Sequence, residues 1–369
     1  MFTTKKEGEL HLGVHGGKFH LDDVLCCYLI SSLYGERLNN KVVIHRSILN
    51  GKDLENCDFV MDVGMEYIHS KRHYDHHQKD FNETYKNRSI KLSASGLIWK
   101  HYGQEIVQTL LTDIKGFKYK LTSHKIEIIT DKIYDSIFSF VDAKDNGINQ
   151  YSKPITQKAA YNDNSNLGYF VSLFNENWFE DLTSDEILEH FKKAMNIVGE
   201  YFMKIFIKTV YSIQAQKIVD KALKERFKYR SDGRVLVLED SRIPSNIFKI
   251  NQKINPKILY IVGFEKERKV YSAKAVNEND SYKTILPFPK EWRGLPENKL
   301  SDITGIPNST FCHSNGFIAS NKTLEGALQM VDKSIKMNIH TIENNNYNLI
   351  FWIIPIFIFI LFIIKFLYQ

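Results

Sequence analysis

"HLGVHGGKFHLDDVLCCYLISSLYG", residues 11–35, runs from a short apolar stretch through a histidine and a glycine pair into a carboxylate-led helix. Residues 11–15 are β-rich, and Gly16 and Gly17 let the backbone turn sharply. "DDVLCCYLISSLYG" reads as a helix that starts at a carboxylate and stops at Gly35. Two further β-rich runs follow, "KVVIH" (41–45) and "DFVMDVG" (58–64). Strand, helix, strand at this spacing predicts a βαβ unit and a parallel sheet. In open α/β sheets ligands gather outside the carboxyl ends of the strands. His15 ends the first strand, "KFHLDD" brings His20 and Asp22 to the helix mouth, and Asp62 ends a later strand. Together with "YDHHQ" (74–78), these residues are expected on one rim.

Further along, "SASGLIWKHYG" (93–103) and "IYDSIFSFVDA" (133–143) supply helices. Residues 183–226 keep helical periodicity without a strong breaker, predicting one long helix or a kinked pair. Alternating strands return in "GRVLVLED" (233–240), "KILYIVGFE" (257–265) and "KVYSAKAV" (269–276), followed by a last helix after Thr323. The expected class is therefore α/β with a parallel-sheet core. Its expected parts are an α/β domain over 1–165, a helical connector over 166–227 and a smaller α+β domain over 228–340. A spacer over 341–348 leads to the nearly uncharged run 349–368, which is long enough for a single transmembrane helix. That run predicts a single-pass tail anchor with the catalytic body facing the cytosol. The aromatic run "GYFVSLFNENWF" (168–179) is expected to pack into the protein.

Net charge is +6, from 49 basic and 43 acidic residues, far below the footprint of a dedicated nucleic-acid binder. Four cysteines without C-x-x-C spacing argue for free thiols and against a zinc ribbon.

Carboxylates and imidazoles without thiolates select a hard-to-borderline divalent ion such as Mn²⁺ or Mg²⁺. "VDAKDNG" (141–147) adds Asp142 and Asp145, giving more ligands than one ion needs. A carboxylate shared between two ions roughly 3.5–4 Å apart uses them all, as in phosphoryl hydrolases. In "DHH", one imidazole can bind metal while its neighbour faces a substrate phosphate, with Asp75 orienting an imidazole from behind.

The ordered set "HGGKFHLDD", "VMDVG", "YDHHQ" and "VDAKDNG" resembles the Myg-type (melanocyte proliferating gene) family of the DHH phosphoesterase superfamily. "KLSASGLIWKHYG", "PFPKEWRGL" and "GIPNSTFCHSNGFIASNKTLEGAL" extend the resemblance over about residues 11–335. It implies a DHH-type domain followed by a smaller domain, and manganese-dependent phosphodiester hydrolysis acting 3′→5′ on RNA or short oligonucleotides. By motif, His15, His20 and Asp62 would hold one Mn²⁺ ion. Asp22, Asp62, His76 and an acidic residue of "VDAKDNG", Asp145 in preference to Asp142, would hold the second. Mg²⁺ is the alternative metal. His77 would contact the scissile phosphate, and Arg293, His313 and Gly316 would bind substrate. Two departures stand out: Ala319-Ser320 replaces a glycine pair, and Asp23 stands where the family motif has glutamate. Two other readings remain open, a hydrolase of small phosphoesters or phosphoanhydrides and a non-catalytic tethered scaffold.

Overall fold

The computed structural model describes residues 6–46, 51–117, 120–151, 165–278 and 283–338. The chain divides into two compact units, one through Tyr211 and one from Ser212.

The first unit opens with β1 (Glu9–Val14), α1 (Leu21–Tyr34), β2 (Lys41–Arg46), α2 (Gly51–Glu55) and β3 (Phe59–Met61). A hairpin of β4 (Tyr67–Ile68) and β5 (His73–Tyr74) follows. The sheet order is β2-β1-β3-β5-β4, parallel throughout except for the edge strand β4, which runs antiparallel to β5. β1 lies between two parallel neighbours, and its residues after Glu9 are all buried, as a strand covered on both faces requires. Ten of the 14 residues of α1 are buried, so this is an interior helix that carries Asp22 and Asp23 inside with its apolar residues.

Three more helices, α3 (Ala94–Leu111), α4 (Ser123–Ile133) and α5 (Ser139–Asp145), complete the site's support. A five-residue π turn, Tyr134–Phe138, joins α4 to α5. Such turns recur at functional sites because they re-phase the helix that follows. Trp99 of α3 is fully buried, stacks on Phe138 at 4.6 Å and donates its indole N–H to the Thr130 carbonyl at 3.1 Å. That one side chain fixes α3 against α4 and the π turn, and truncating such a residue typically costs about 3–5 kcal/mol.

α6 (Leu167–Ser172) and α7 (Ser184–Glu225) come next. The periodic segment is a single continuous helix of 42 residues. The aromatic run before it does not pack as expected. Val171 is buried, but Trp178 is 95 % exposed, and Tyr169, Phe170, Leu173 and Phe179 are exposed too. A six-residue helix followed by a loop has only one inward face, and Val171 occupies it.

In the second unit β6 (Val235–Leu238), α8 (Ile247–Asn251), β7 (Tyr260–Glu265), β8 (Val270–Ala275), α9 (Glu297–Thr304), β9 (Ser309–Cys312) and β10 (Ile318–Asn321) precede a helix over 324–338. The sheet order is β6-β7-β8-β10-β9, with only β6 and β7 parallel. One core joins Tyr260, Phe288 and Trp292 to Met330 and Ile335 of the last helix. The other joins Leu236 and Ile258 to Val219 and Ala222 of α7. Ala319 and Ser320 are buried residues of β10, so their amides belong to a sheet strand and not to an open phosphate-binding loop.

A second expectation is corrected. Among the described residues no helix is long and apolar enough to cross a membrane. The run 349–368 lies outside the described residues, so the expected transmembrane helix, the membrane contact and the single-pass localisation are not supported.

Candidate metal centre

The loops leaving the carboxyl ends of β1, β3 and β5 carry His15, Asp62 and the Asp75–His77 run. Asp62 adopts a left-handed backbone (φ 58°), a conformation that a short polar side chain tolerates better than most. Its N–H donates to the Tyr74 carbonyl at 3.0 Å, which ties the β3 and β5 ends together. α1 delivers Asp22 and Asp23 from its first turn, with His20 at its N-cap, and α5 delivers Asp145 from its last turn.

Two groups of convergent ligand atoms result, His15/His20/Asp62 and Asp22/Asp62/His76/Asp145, each with its atoms within 4.8 Å of one another. Asp62 belongs to both. His76 Nε2 lies 2.8 Å from Asp145 Oδ2 and 3.4 Å from Asp62 Oδ1. His15 Nε2 lies 2.9 Å from Asp23 Oδ2 and 3.5 Å from Asp62 Oδ2. These are ion-pair distances, yet His15 Nε2, Asp23 Oδ2, Asp62 Oδ1 and both ring nitrogens of His76 are buried without hydrogen-bond geometry. Buried ligand atoms of His15, Asp62 and His76 that converge with their neighbours yet lack hydrogen-bond partners are what cation ligands look like without their cation.

Protonation supports the same reading. The Gly16 carbonyl can only accept, so the 2.7 Å contact to His15 Nδ1 puts a proton there and turns Nε2 toward the cluster. Burial raises Asp22 well above the usual carboxylate range, and the charges of Asp145 and Asp62 add to it. Asp62 is raised too, by burial first, against the relieving contact with His76. Burial pulls the two imidazoles down, but Asp23 outweighs it to lift His15 to about 9, and Asp145 with Asp62 lifts His76 to about 10. Four carboxylates (Asp22, Asp23, Asp62, Asp145) thus face three imidazoles, an excess of negative charge that divalent cations would neutralise. The residues fit such ions.

A third combination, Asp62/His76/His77, also converges. His77 Nδ1, however, is 2.7 Å from Asp75 Oδ1 and 3.7 Å from Asp62 Oδ1. The Asp75 carboxylate therefore holds the Nδ1 proton and turns Nε2 of this half-exposed ring outward. Asp75 itself is buried and fixed by the N–H groups of Met65 (2.6 Å) and His77 (3.0 Å). Burial alone would raise its pKa, yet the His77 ring and then these two N–H groups bring it to about 2. It orients His77 and is absent from the convergent groups.

Asp142 is also absent from them. Its carboxylate accepts from Ser93 N–H (2.9 Å), Ser93 Oγ (2.8 Å) and Tyr134 O–H (2.8 Å). Ser93 Oγ also bonds Asp22 Oδ1, and the N–H groups of Ala94 (3.1 Å) and Ser95 (2.9 Å) donate to Asp22. Asp142 thus holds the N-terminus of α3, which in turn holds Asp22. The arrangement needs Gly96, because a Cβ there would lie 2.3 Å from Asp142 Oδ1. Ser93, Ser95 and Asp23 were not singled out as site residues by their sequence context. A serine at the head of a helical run reads as an ordinary cap, which Ser93 also is.

The remaining candidates come together in the second unit. Arg293 Nε and Nη2 both donate to the Phe288 carbonyl, at 2.8 and 2.6 Å. Gly316, at φ +70°, lets this guanidinium approach, since a Cβ there would lie 2.6 Å from Nε. The Gly316 N–H donates to the His313 carbonyl at 2.8 Å, and the His313 ring lies 4.4 Å from that of Phe317.

A family model for the MYG1 exonucleases, described as an uncharacterised protein family (UPF0160), matches residues 11–335. The chain belongs to this family. It is 34% identical over 341 residues to the MYG1 protein of Dictyostelium discoideum, covering 90% of this chain and 99% of that protein. To the MYG1 protein of Caenorhabditis elegans it is 32% identical over 343 residues, 88% and 95% of the two chains. The human MYG1 exonuclease is 31% identical over 330 residues, 86% and 84% of the two chains. All the convergent residues lie inside the matched span.

Proposed function

We propose that the chain is a divalent-metal-dependent phosphodiesterase that shortens RNA from its 3′ end. Family membership supports a nuclease, and mammalian members are named exonucleases. The observation that carries the reading is the convergence of His15, His20, Asp22, Asp62, His76 and Asp145, with buried ligand atoms of His15, Asp62 and His76 left without hydrogen-bond partners. His15, His20 and Asp62 would hold one Mn²⁺, and Asp22, Asp62, His76 and Asp145 the other. When bound, the pair would supply Lewis acidity at the phosphodiester and activate the attacking water. Asp62 joins the two halves of the centre. His77, oriented by Asp75, offers Nε2 to a non-bridging phosphate oxygen. Asp142 and Ser93 keep Asp22 in place. Arg293 suits backbone phosphates, because a planar guanidinium matches their oxygens.

Incubating the chelator-stripped full chain with Mn²⁺ and 5′-labelled RNA, beside dinucleotides and pyrophosphate, tests this. A ladder of progressively shorter labelled fragments is expected, and only with the metal supplied. Immediate release of labelled mononucleotide would reverse the polarity. Turnover confined to pyrophosphate would favour the small-substrate hydrolase. Full activity after exhaustive chelation would end the metal reading.

A further inference from the structure

A cavity of about 400 Å³ opens beside the proposed cation cluster, within the first unit. Its lining includes His20, Asp22 and Asp145 from the cluster and, beside them, Phe140 of α5 with Asn166 and Tyr169. The volume falls in the range of roughly 300–1,000 Å³ typical of small-molecule sites. Tyr169 is 47 % exposed. Among the described residues neither its ring nor that of Phe140 is paired with another aromatic. Asn166 Oδ1 accepts from the Tyr169 N–H (2.9 Å) and from Lys144 Nζ (3.0 Å), which fixes the amide and leaves its Nδ2 donors for another partner.

We infer that this cavity binds the base of the nucleotide whose phosphate meets the cation cluster. The inference rests on the reading of that cluster as a phosphodiesterase centre. Aromatic faces stack on any base, a fixed amide offers donors to a base edge, and Lys144 adds positive charge at the rim. Because the lining runs without a break into Asp22 and Asp145, a base held there belongs to the same nucleotide as the reacting phosphate. A base can enter only after leaving its neighbour in a duplex, so single-stranded ends are the substrates the cavity accepts.

Calorimetry on the full chain with Mn²⁺ compares adenosine 5′-monophosphate with ribose 5-phosphate, two ligands that differ by the base alone. The nucleotide should bind at least about fivefold more tightly, the size of a single base–aromatic stack. Tyr169→Ala should remove that advantage, and Tyr169→Phe should keep it. Equal binding of the two ligands by the native chain, or an advantage that survives Tyr169→Ala, overturns the inference. RNA cleavage by the same preparations separates the two readings. Cleavage without a base advantage refutes the cavity alone, and a base advantage without cleavage refutes the nuclease reading alone.

Discussion

Replacing Asp142 and, separately, Asp145 by asparagine should produce opposite phenotypes. Asp142 accepts three hydrogen bonds in a fully buried position. An asparagine has only one oxygen, so its NH₂ must face one of those donors, costing about 1–3 kcal/mol. Burial also raises Asp142 from the usual 3.8 to about 6. A carboxyl whose folded pKa lies above its unfolded one contributes stability that is fully present below pH 4 and lost as pH rises through about 6. The loss amounts to about 3 kcal/mol at neutral pH, and asparagine does not suffer it. The two effects offset at pH 7.5, where Asp142→Asn should match the native chain or exceed it by up to about 2 kcal/mol. At pH 4.5, where about 1 kcal/mol of that loss has already set in, the variant should be less stable by up to about 2 kcal/mol. Urea unfolding at the two pH values reads the difference. Mn²⁺ affinity should change by no more than about tenfold, the low end for a group that only orients a ligand. Asp145→Asn should instead weaken Mn²⁺ binding more than about 100-fold without a pH-dependent stability loss of that kind. Loss of metal in Asp142→Asn with metal retained in Asp145→Asn would refute the assignment of the two carboxylates.

Two further outcomes are expected. His77→Ala should retain both metal equivalents while turnover falls by roughly 10²–10⁴, the range for a positioned proton-transferring or phosphate-binding side chain; metal analysis of the purified variant checks it, and loss of metal would make His77 a ligand. Gly316→Ala places a Cβ 2.6 Å from Arg293 Nε and must displace the guanidinium; RNA affinity should fall while Mn²⁺ affinity stays unchanged, and unaltered RNA binding would remove Arg293 from the substrate site.

The parallel strands and the convergence of candidate ligands at their carboxyl ends were legible because each strand that matters ends in a marked residue. β1 runs into His15 and a glycine pair, and β3 runs into Asp62. The hairpin of β4 and β5 was not legible, since strands of two residues are too short to show alternation. Asp142 and Asp145 lie one helical turn apart, so a sequence pattern admits both. What separates them is Ser93, 49 positions away from Asp142, together with Tyr134 on the π turn. The exposure of Tyr169 and Trp178 was missed because aromatic content predicts burial only when the local element has enough inward face to receive it. The apolar C-terminal run meets the length rule for a membrane span by composition and lies outside the described residues, among which no helix is long and apolar enough to cross a membrane.

The most direct test of the two-cation centre is equilibrium binding of Mn²⁺ to the metal-stripped full chain, followed by the electron paramagnetic resonance signal of the free ion. Two Mn²⁺ per native chain are expected, and Asp62→Asn should lose both sites together, because Asp62 is the one carboxylate common to both ligand groups. A native chain that takes up no Mn²⁺, or an Asp62→Asn variant that binds two ions with unchanged affinity, would contradict the account.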